Sequence, residues 1–481
     1  MLVFSDVHLG SDLNDHETSR IRRSALVDKD LVELIVHYRK TPPKANRWRI
    51  VVAGDFIDFI GMAITPRDDE LQTAPSDEER EHGLGNSSDH ARVKVKRVAA
   101  RHKDVFEALA AFVSDGHGLT FVHGNHDVEL YWDDVKSEIK EQLWALAARS
   151  DLDKGAFVGR IAFNEWFFYA ENLAYIEHGH QYDEFCATDD FMAPLSPADP
   201  RRIRRGFCDV LLRFVVRQTR GLHEHGHDKM GLTDYVRFGT RLGLRGMARL
   251  FVRFVFAVRE LFRVRSEYFL EPARALRAEH DRRVGLLAEA MRIGVDRLRA
   301  LAALQVPPVT RSISGILASV LLDRLALALS CSFALMVTAL IVGVRHGNFW
   351  YAGACIAVAW LLAHRYLTNR RKVDPDELLV ERAASLARLF PAAFVVMGHT
   401  HVPMRVPVSQ ATTYINVGSW AEEEADATRA SVPLRAARTH LVINAGESGP
   451  PVAEFLAWTS GEGPHRFIGA GTESVTRIKT G

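Results

Sequence analysis

Residues 1–10 read MLVFSDVHLG: the apolar triplet Leu2-Val3-Phe4 runs straight into Ser5-Asp6-Val7-His8. Aromatic and branched residues favour an extended strand, and residues two apart on a strand share a face. Asp6 and His8 are therefore expected to project together from a strand end, a carboxylate beside an imidazole. Three β-rich runs repeat the arrangement within the first 180 residues. Arg49–Ala53 is followed by GDFID, Leu119–Val122 by HGNHD, and Ala174–Ile176 by EHGHQYD. Helical stretches separate them, the alternation of an α/β domain that keeps its chemistry in loops at strand ends.

At 481 residues the chain exceeds one ordinary core, so two or three structural units are expected. Lys+Arg 61 balance Asp+Glu 60, which argues against a nucleic-acid coat protein. Cys186, Cys208, Cys331 and Cys355 form no CxxC pair, so neither structural zinc nor a disulfide framework is expected, and a reducing compartment fits. The opening apolar triplet lacks a basic leader and is cut short by Ser5-Asp6, which reads as a strand rather than a signal peptide.

The polar stretch TPRDDELQTAPSDEEREHGLGNSSD between the second and third motifs reads as an exposed mobile loop. Beyond residue 200 the character changes. Residues 201–265 hold 16 Lys/Arg against 5 Asp/Glu. Arg237, Arg241, Arg245, Arg249 and Arg253 recur every fourth residue, with Leu250, Phe251, Phe254, Val255, Val258, Leu261 and Phe262 on another face, as in a basic amphipathic helix. Leu325–Val344 then carries no charge over twenty residues, enough to cross a bilayer, and Phe349–Ala363 is a second, shorter apolar run. The α/β pattern resumes with a helix near Asp376–Phe390, the strand Ala393–Met397, and the motifs GHTHVP and TYINVGSW.

Five clusters thus stand in order: Asp6-x-His8, Gly54-Asp55-x-x-Asp58, Gly124-Asn125-His126-Asp127, His178-Gly179-His180 and Gly398-His399-Thr400-His401. Carboxylate, imidazole and amide oxygen together suit Mn, Fe or Zn ions. The order and content of these motifs resemble the calcineurin-like metallophosphoesterases, over about residues 1–185 and 391–445. The resemblance implies a four-layer α/β sandwich, two mixed sheets flanked by helices, with a large, mainly helical insertion here. It implies two divalent ions, Mn first and Fe, Zn or Co as alternatives. Asp6, His8 and His401 would hold the first ion and Asp55 would bridge both. Asn125, His178 and His399 would hold the second, with His180 as an alternative to His178. His126 would give a proton or stabilise the transition state, and Asp127 would orient its ring, while Asp58 and Asp127 each read more readily as hydrogen-bonding the loop or a ligand imidazole. Two such ions can activate water and grip the phosphoryl oxygens of an in-line displacement, and a general acid typically contributes about 10²–10⁴-fold. His223, His225 and His227 lie outside this pattern and read as a solvated loop.

Residues 1–185 and 369–445 are accordingly two parts of one domain, separated by a basic helical insertion (186–310) and a transmembrane hairpin (311–368), with 446–481 as a tail. His399 and His401 must reach the cleft of Asp6 and Asp55, so the intervening chain must cross a membrane an even number of times. Arg311, Arg324, Arg365, Arg370, Arg371 and Lys372 flank the apolar runs, while the link holds only Arg345 and His346. That asymmetry places the catalytic domain at the membrane's cytoplasmic side. SDVHLG, GDFIDF, HGHQYDEFCATDD and GHTHVP…YINVGSW are similar to the UDP-2,3-diacylglucosamine diphosphatase branch, which commonly carries Arg where this chain has His126. The expected function is two-metal hydrolysis of a phosphodiester or pyrophosphate bond in a lipid-linked or nucleotide substrate at the membrane, with no nucleic-acid partner. The alternatives are an anchored enzyme acting on a phosphoprotein or cyclic nucleotide, and a non-catalytic membrane scaffold.

Overall fold

In the computed structural model, alternation along each strand sorts the apolar residues onto two faces, and both faces are buried. The structure describes residues 1–14, 21–41, 43, 47–147, 152–217, 232–319, 322–345, 349–369, 375–421, 438–445 and 449–468. Among them the strands run β1 (Leu2–Phe4), β2 (Arg49–Ala53), β3 (Gly118–Val122), β4 (Ile161–Asn164), β5 (Phe167–Ala170), β6 (Asn172–Glu177), β7 (Ala392–Met397), β8 (Met404–Pro407), β9 (Thr413–Asn416), β10 (Thr439–Asn444), β11 (Val452–Thr459) and β12 (Gly463–Arg466). Seven form one sheet in the order β12-β11-β10-β1-β2-β3-β4, and five form a second, β5-β6-β7-β9-β8. The first is parallel from β1 to β4 and antiparallel from β1 to β12. The second is parallel through β6, β7 and β9, with antiparallel edges.

Leu2, Phe4, Ile50 and Val52 face outward into a core shared with residues of the helices Ile21–Lys40, Ser88–Arg101 and Lys103–Ser114. Their neighbours Val3, Val51 and Ala53 face inward, against Ala174, Ile176, Phe394, Val396 and Ile415 of the other sheet. Tyr175, Val395, Met397 and Tyr414 face outward again, under the helices Pro272–Met291, Val295–Ala302 and Pro375–Leu389. The result is helix, sheet, sheet, helix. Each fully buried large side chain in these layers contributes about 1.5–3 kcal/mol, and the fold holds because a period-two pattern supplies two such faces at once. Residues beyond 446, read above as a tail, supply β11 and β12 of the larger sheet.

The stretch expected to be a mobile loop is largely organised. Ser76 caps the helix Asp77–His82 in a reciprocal capping box with Glu79, and Glu79 is 1 % exposed. The reason lies in the insertion, whose arginines clamp this segment. Arg202 pairs with Glu79 at 2.8 Å, Arg205 pairs with Glu78, and Arg213 bonds Glu78 and the carbonyls of Gly83 and Leu84. Arg217 donates to the Met62 carbonyl at 3.0 Å. Polarity alone suggested solvent, but these acids are paired by cations 123 to 135 residues further along.

The expected basic helix forms as Leu232–Glu267, kinked at Gly243. Ala257, Leu261 and Val264 pack into a separate small core with Phe207, Val210, Phe214, Val309 and Ile316. Phe251, Val255 and Phe256 stay exposed. Residues 218–231, with His223, His225 and His227, lie outside the described residues. The two apolar runs form the helices Leu322–Arg345 and Phe349–Asn369, packed against one another. Among the described residues, no helix is long and apolar enough to cross a membrane. The link 346–348 and the side chains at both ends of the first run fall outside the described residues.

Candidate metal centre

All five motifs sit just past strands: β1, β2, β3, β6 and β7. β1 ends at Phe4, so Asp6 and His8 are not on the strand, contrary to the period-two expectation. They bend inward through left-handed backbone, with φ of 54° and 52°. Asp55 (53°), His399 (72°) and His401 (60°) do the same, so that five of the nine non-glycine residues with positive φ among those described belong to the motifs. Such conformations cost about 1–2 kcal/mol each for ordinary residues and concentrate at functional sites. The surrounding hydrogen bonds enforce them. Trp420 and Ala421 donate backbone N–H to the Asp6 carbonyl at 3.0 and 2.9 Å, and His8 N donates to the Asp55 carbonyl at 3.0 Å.

The bends bring both ends of the chain together. Asp6 Oδ1 lies 3.0 Å from His401 Nε2, 3.8 Å from His8 Nε2 and 4.0 Å from His178 Nε2. Asp55 Oδ2 lies 3.2 Å from His178 Nε2 and 3.8 Å from His8 Nε2, so Asp55 stands between the two groups. Asn125 Oδ1 meets His178 Nε2 at 3.0 Å. His399 lies against His178, ring centroids 5.3 Å apart, and its backbone N–H donates to Asp6 Oδ2. Three overlapping groups could each hold an ion: Asp6, His8 and His401; Asp6, Asp55 and His178; His8, Asp55 and His126. The donor set fits divalent cations, since carboxylate and imidazole ligand atoms converge within 4.8 Å of one another at largely buried positions.

Close backbone approach makes this packing feasible. Gly54 has φ +93°, and a Cβ there would stand 2.4 Å from His178 Nδ1; one on Gly124 would stand 2.0 Å from Asp55 Oδ1.

Charge points the same way. Burial alone would push the Asp6 and Asp55 carboxyls up, yet His401 and His178 beside Asp6, and His178 and His126 beside Asp55, hold both well below the usual carboxylate range. Burial likewise opposes charge on His178, but Asp55 and Asp6 raise its pKa to about 9. The buried carboxylates demand positive charge close by, which bound metal ions would supply.

One assignment needs adjustment. Asp127 does not orient His126: its carboxylate accepts the backbone N–H groups of Phe56 and Gly124, at 2.9 and 2.6 Å, and pins the two loops together. The His126 ring is held by Asp58, Nδ1 to Oδ1 2.8 Å, while His126 N donates to Asp55 Oδ1. Both Asp127 oxygens are taken by these backbone N–H groups, whereas Asp58 reaches the ring from the facing loop. Of His178 and His180, His178 meets the carboxylates; its Nδ1 is anchored on the Ala53 carbonyl at 2.9 Å. His180 lines an adjoining recess together with His123, Glu165, Trp166, Glu177 and Phe191.

Asp183, not singled out in the sequence, lies 3.1 Å from His399 Nε2. Its only signal was an acid five residues beyond His178. Neither a protein-family model nor a curated protein matches this sequence.

Proposed function

We propose that the chain is a two-metal phosphoesterase of the calcineurin-like type, hydrolysing a phosphodiester or pyrophosphate bond. The observation that carries this reading is the convergence of Asp6 and His8 with His399 and His401 around Asp55, across almost four hundred residues. Divalent ions, manganese first, would lower the pKa of water and neutralise phosphoryl charge. Asp6, His8 and His401 would hold one, Asn125, His178 and His399 the other, with Asp55 shared. Asp58 fixes His126 through Nδ1, which assigns Nε2 to the substrate, where it holds or gives the proton that the leaving oxygen needs. Asp127 keeps the loop bearing Asn125 and His126 in register with that of Asp55.

Purified protein with Mn²⁺ should turn over bis(p-nitrophenyl) phosphate, and Asp55→Asn should abolish it. Inactivity with each of Mn²⁺, Fe²⁺, Co²⁺ and Zn²⁺ would refute the proposal.

A lipid-linked substrate at a membrane surface is favoured over a phosphoprotein or cyclic nucleotide by the outer surface of the insertion. Phe251 and Phe256 on the Arg-rich helix, Phe333 and Leu340 on the first apolar helix, and Leu361 and Leu362 on the second are all more than half exposed. Exposed apolar side chains of this kind, with Arg245, Arg249 and Arg253 on the same helix as Phe251 and Phe256, suit an anionic lipid interface. Deleting residues 312–368 should spare hydrolysis of the soluble diester and abolish hydrolysis of a lipid pyrophosphate in vesicles. Undiminished hydrolysis of the vesicle substrate would favour a soluble substrate.

A further inference from the structure

We infer that Asp183 is a positioning residue for His399, fixing its imidazole for the second cation and tying that cation's affinity to the helical insertion. The inference rests on the two-metal reading above.

A ligating histidine commonly donates its second ring N–H to a carboxylate or carbonyl, which sets tautomer and ring angle. Two imidazoles of the centre follow this pattern, His178 through Nδ1 on the Ala53 carbonyl and His126 through Nδ1 on Asp58. His399 does so with the other nitrogen: Nε2 lies 3.1 Å from Asp183 Oδ2. With Nε2–H committed to that carboxylate, Nδ1 is the lone pair His399 has to offer a cation.

Asp183 is itself held on several sides. Phe185 N donates to its Oδ1 at 2.9 Å, and the Cys186 sulfur lies within 4.8 Å of its carboxylate. Cys186 Sγ lies 3.0 Å from Cys208 Sγ, on the short helix Phe207–Leu211 that belongs to the insertion's own small core. From the other end of the insertion, Val306 N and Val309 N donate to the carbonyls of Gln181 and Glu184, at 3.0 and 2.8 Å. The segment bearing Asp183 is thus gripped by both ends of the insertion, and movement there reaches His399 through one carboxylate. A rival reading takes Asp183, Cys186 and His399 as a separate soft-metal site, since their ligand atoms lie within 4.8 Å of one another. That site would spend on another ion the imidazole that closes the second position.

The test is cobalt titration of the metal-stripped full chain, followed by visible absorption and by metal analysis after desalting. Wild type should bind two Co²⁺. Asp183→Asn should leave the first ion's affinity unchanged and weaken the second by about 10–100-fold, and Asp183→Glu should recover part of the loss. Cys186→Ala, which removes the thiol packed beside Asp183, should weaken the second ion less than Asp183→Asn does. Equal second-ion affinity in wild type and Asp183→Asn would overturn the inference alone. So would a cobalt–thiolate charge-transfer band that vanishes in Cys186→Ser, or equal weakening of both ions with a matching fall in the metal-free melting temperature. Wild type that binds no cobalt would overturn the two-metal reading together with this one.

Discussion

Gly54→Ala is expected to disable the centre far more than it destabilises the fold. Gly54 joins β2 to Asp55 at φ +93°, where an L-residue carries about 1–2 kcal/mol of strain. The new methyl carbon would stand 2.4 Å from His178 Nδ1 and 2.5 Å from its Cγ, about 1 Å inside ordinary contact. The imidazole must recede and lose its bond to the Ala53 carbonyl, a further ~0.5–1.5 kcal/mol. Folding stability should therefore fall by about 1.5–3.5 kcal/mol, measurable as a lower urea midpoint. A displacement of about 1 Å in a positioned group can cost ~10²-fold in rate, so diester hydrolysis should fall at least that far. Gly285→Ala is the control. It sits inside the helix Pro272–Met291 with nothing within 4 Å of the added carbon, and alanine there should stabilise by up to ~1 kcal/mol. If Gly54→Ala kept two ions and a rate within twofold of wild type, His178 would not belong to the centre.

Asp58→Asn should retain both metal ions yet lower kcat by about 10²–10³-fold, because it reaches the reacting groups through His126; loss of metal instead would make Asp58 a ligand. Arg213→Met should cost about 1–3 kcal/mol in urea unfolding, since Glu78 keeps Arg205 but the carbonyls of Gly83 and Leu84 lose their buried donor; a change under about 0.5 kcal/mol would show the clamp to be ornamental. Acid should weaken the fold through His123 and His440. Burial, with Lys136 nearby for His123, lowers each to about 3 from 6.5. Between those values the unfolded chain binds protons that the native state refuses, so their contribution is complete above pH 6.5 and lost as pH falls toward 3. The slope is at most about 1.4 kcal/mol per pH unit for each, and a urea midpoint equal at pH 7.5 and 4.5 would contradict it.

The candidate site was legible in the sequence because its chemistry is local. Each motif follows a short β-rich run, and each run proved to be a strand carrying apolar residues on two faces. What the runs could not convey is how the ligands turn. Asp6 and His8 meet through left-handed bends, not through strand alternation, and only the packing of Trp420 and Ala421 on the Asp6 carbonyl explains why those bends persist. Contacts between distant segments were equally invisible. Neither the Asp58–His126 and Asp183–His399 pairs nor the arginines that order residues 76–84 leave a periodic trace. Polarity misled there, since Glu78 and Glu79 resemble a solvated loop until Arg202, Arg205 and Arg213 are beside them.

Anomalous diffraction from crystals grown with Mn²⁺ addresses the centre most directly. Two peaks about 3.5–4 Å apart should appear with Asp55 between them, one touching Asp6, His8 and His401 and the other Asn125, His178 and His399. A single peak, or ions held only by residues from one half of the chain, would contradict a shared centre.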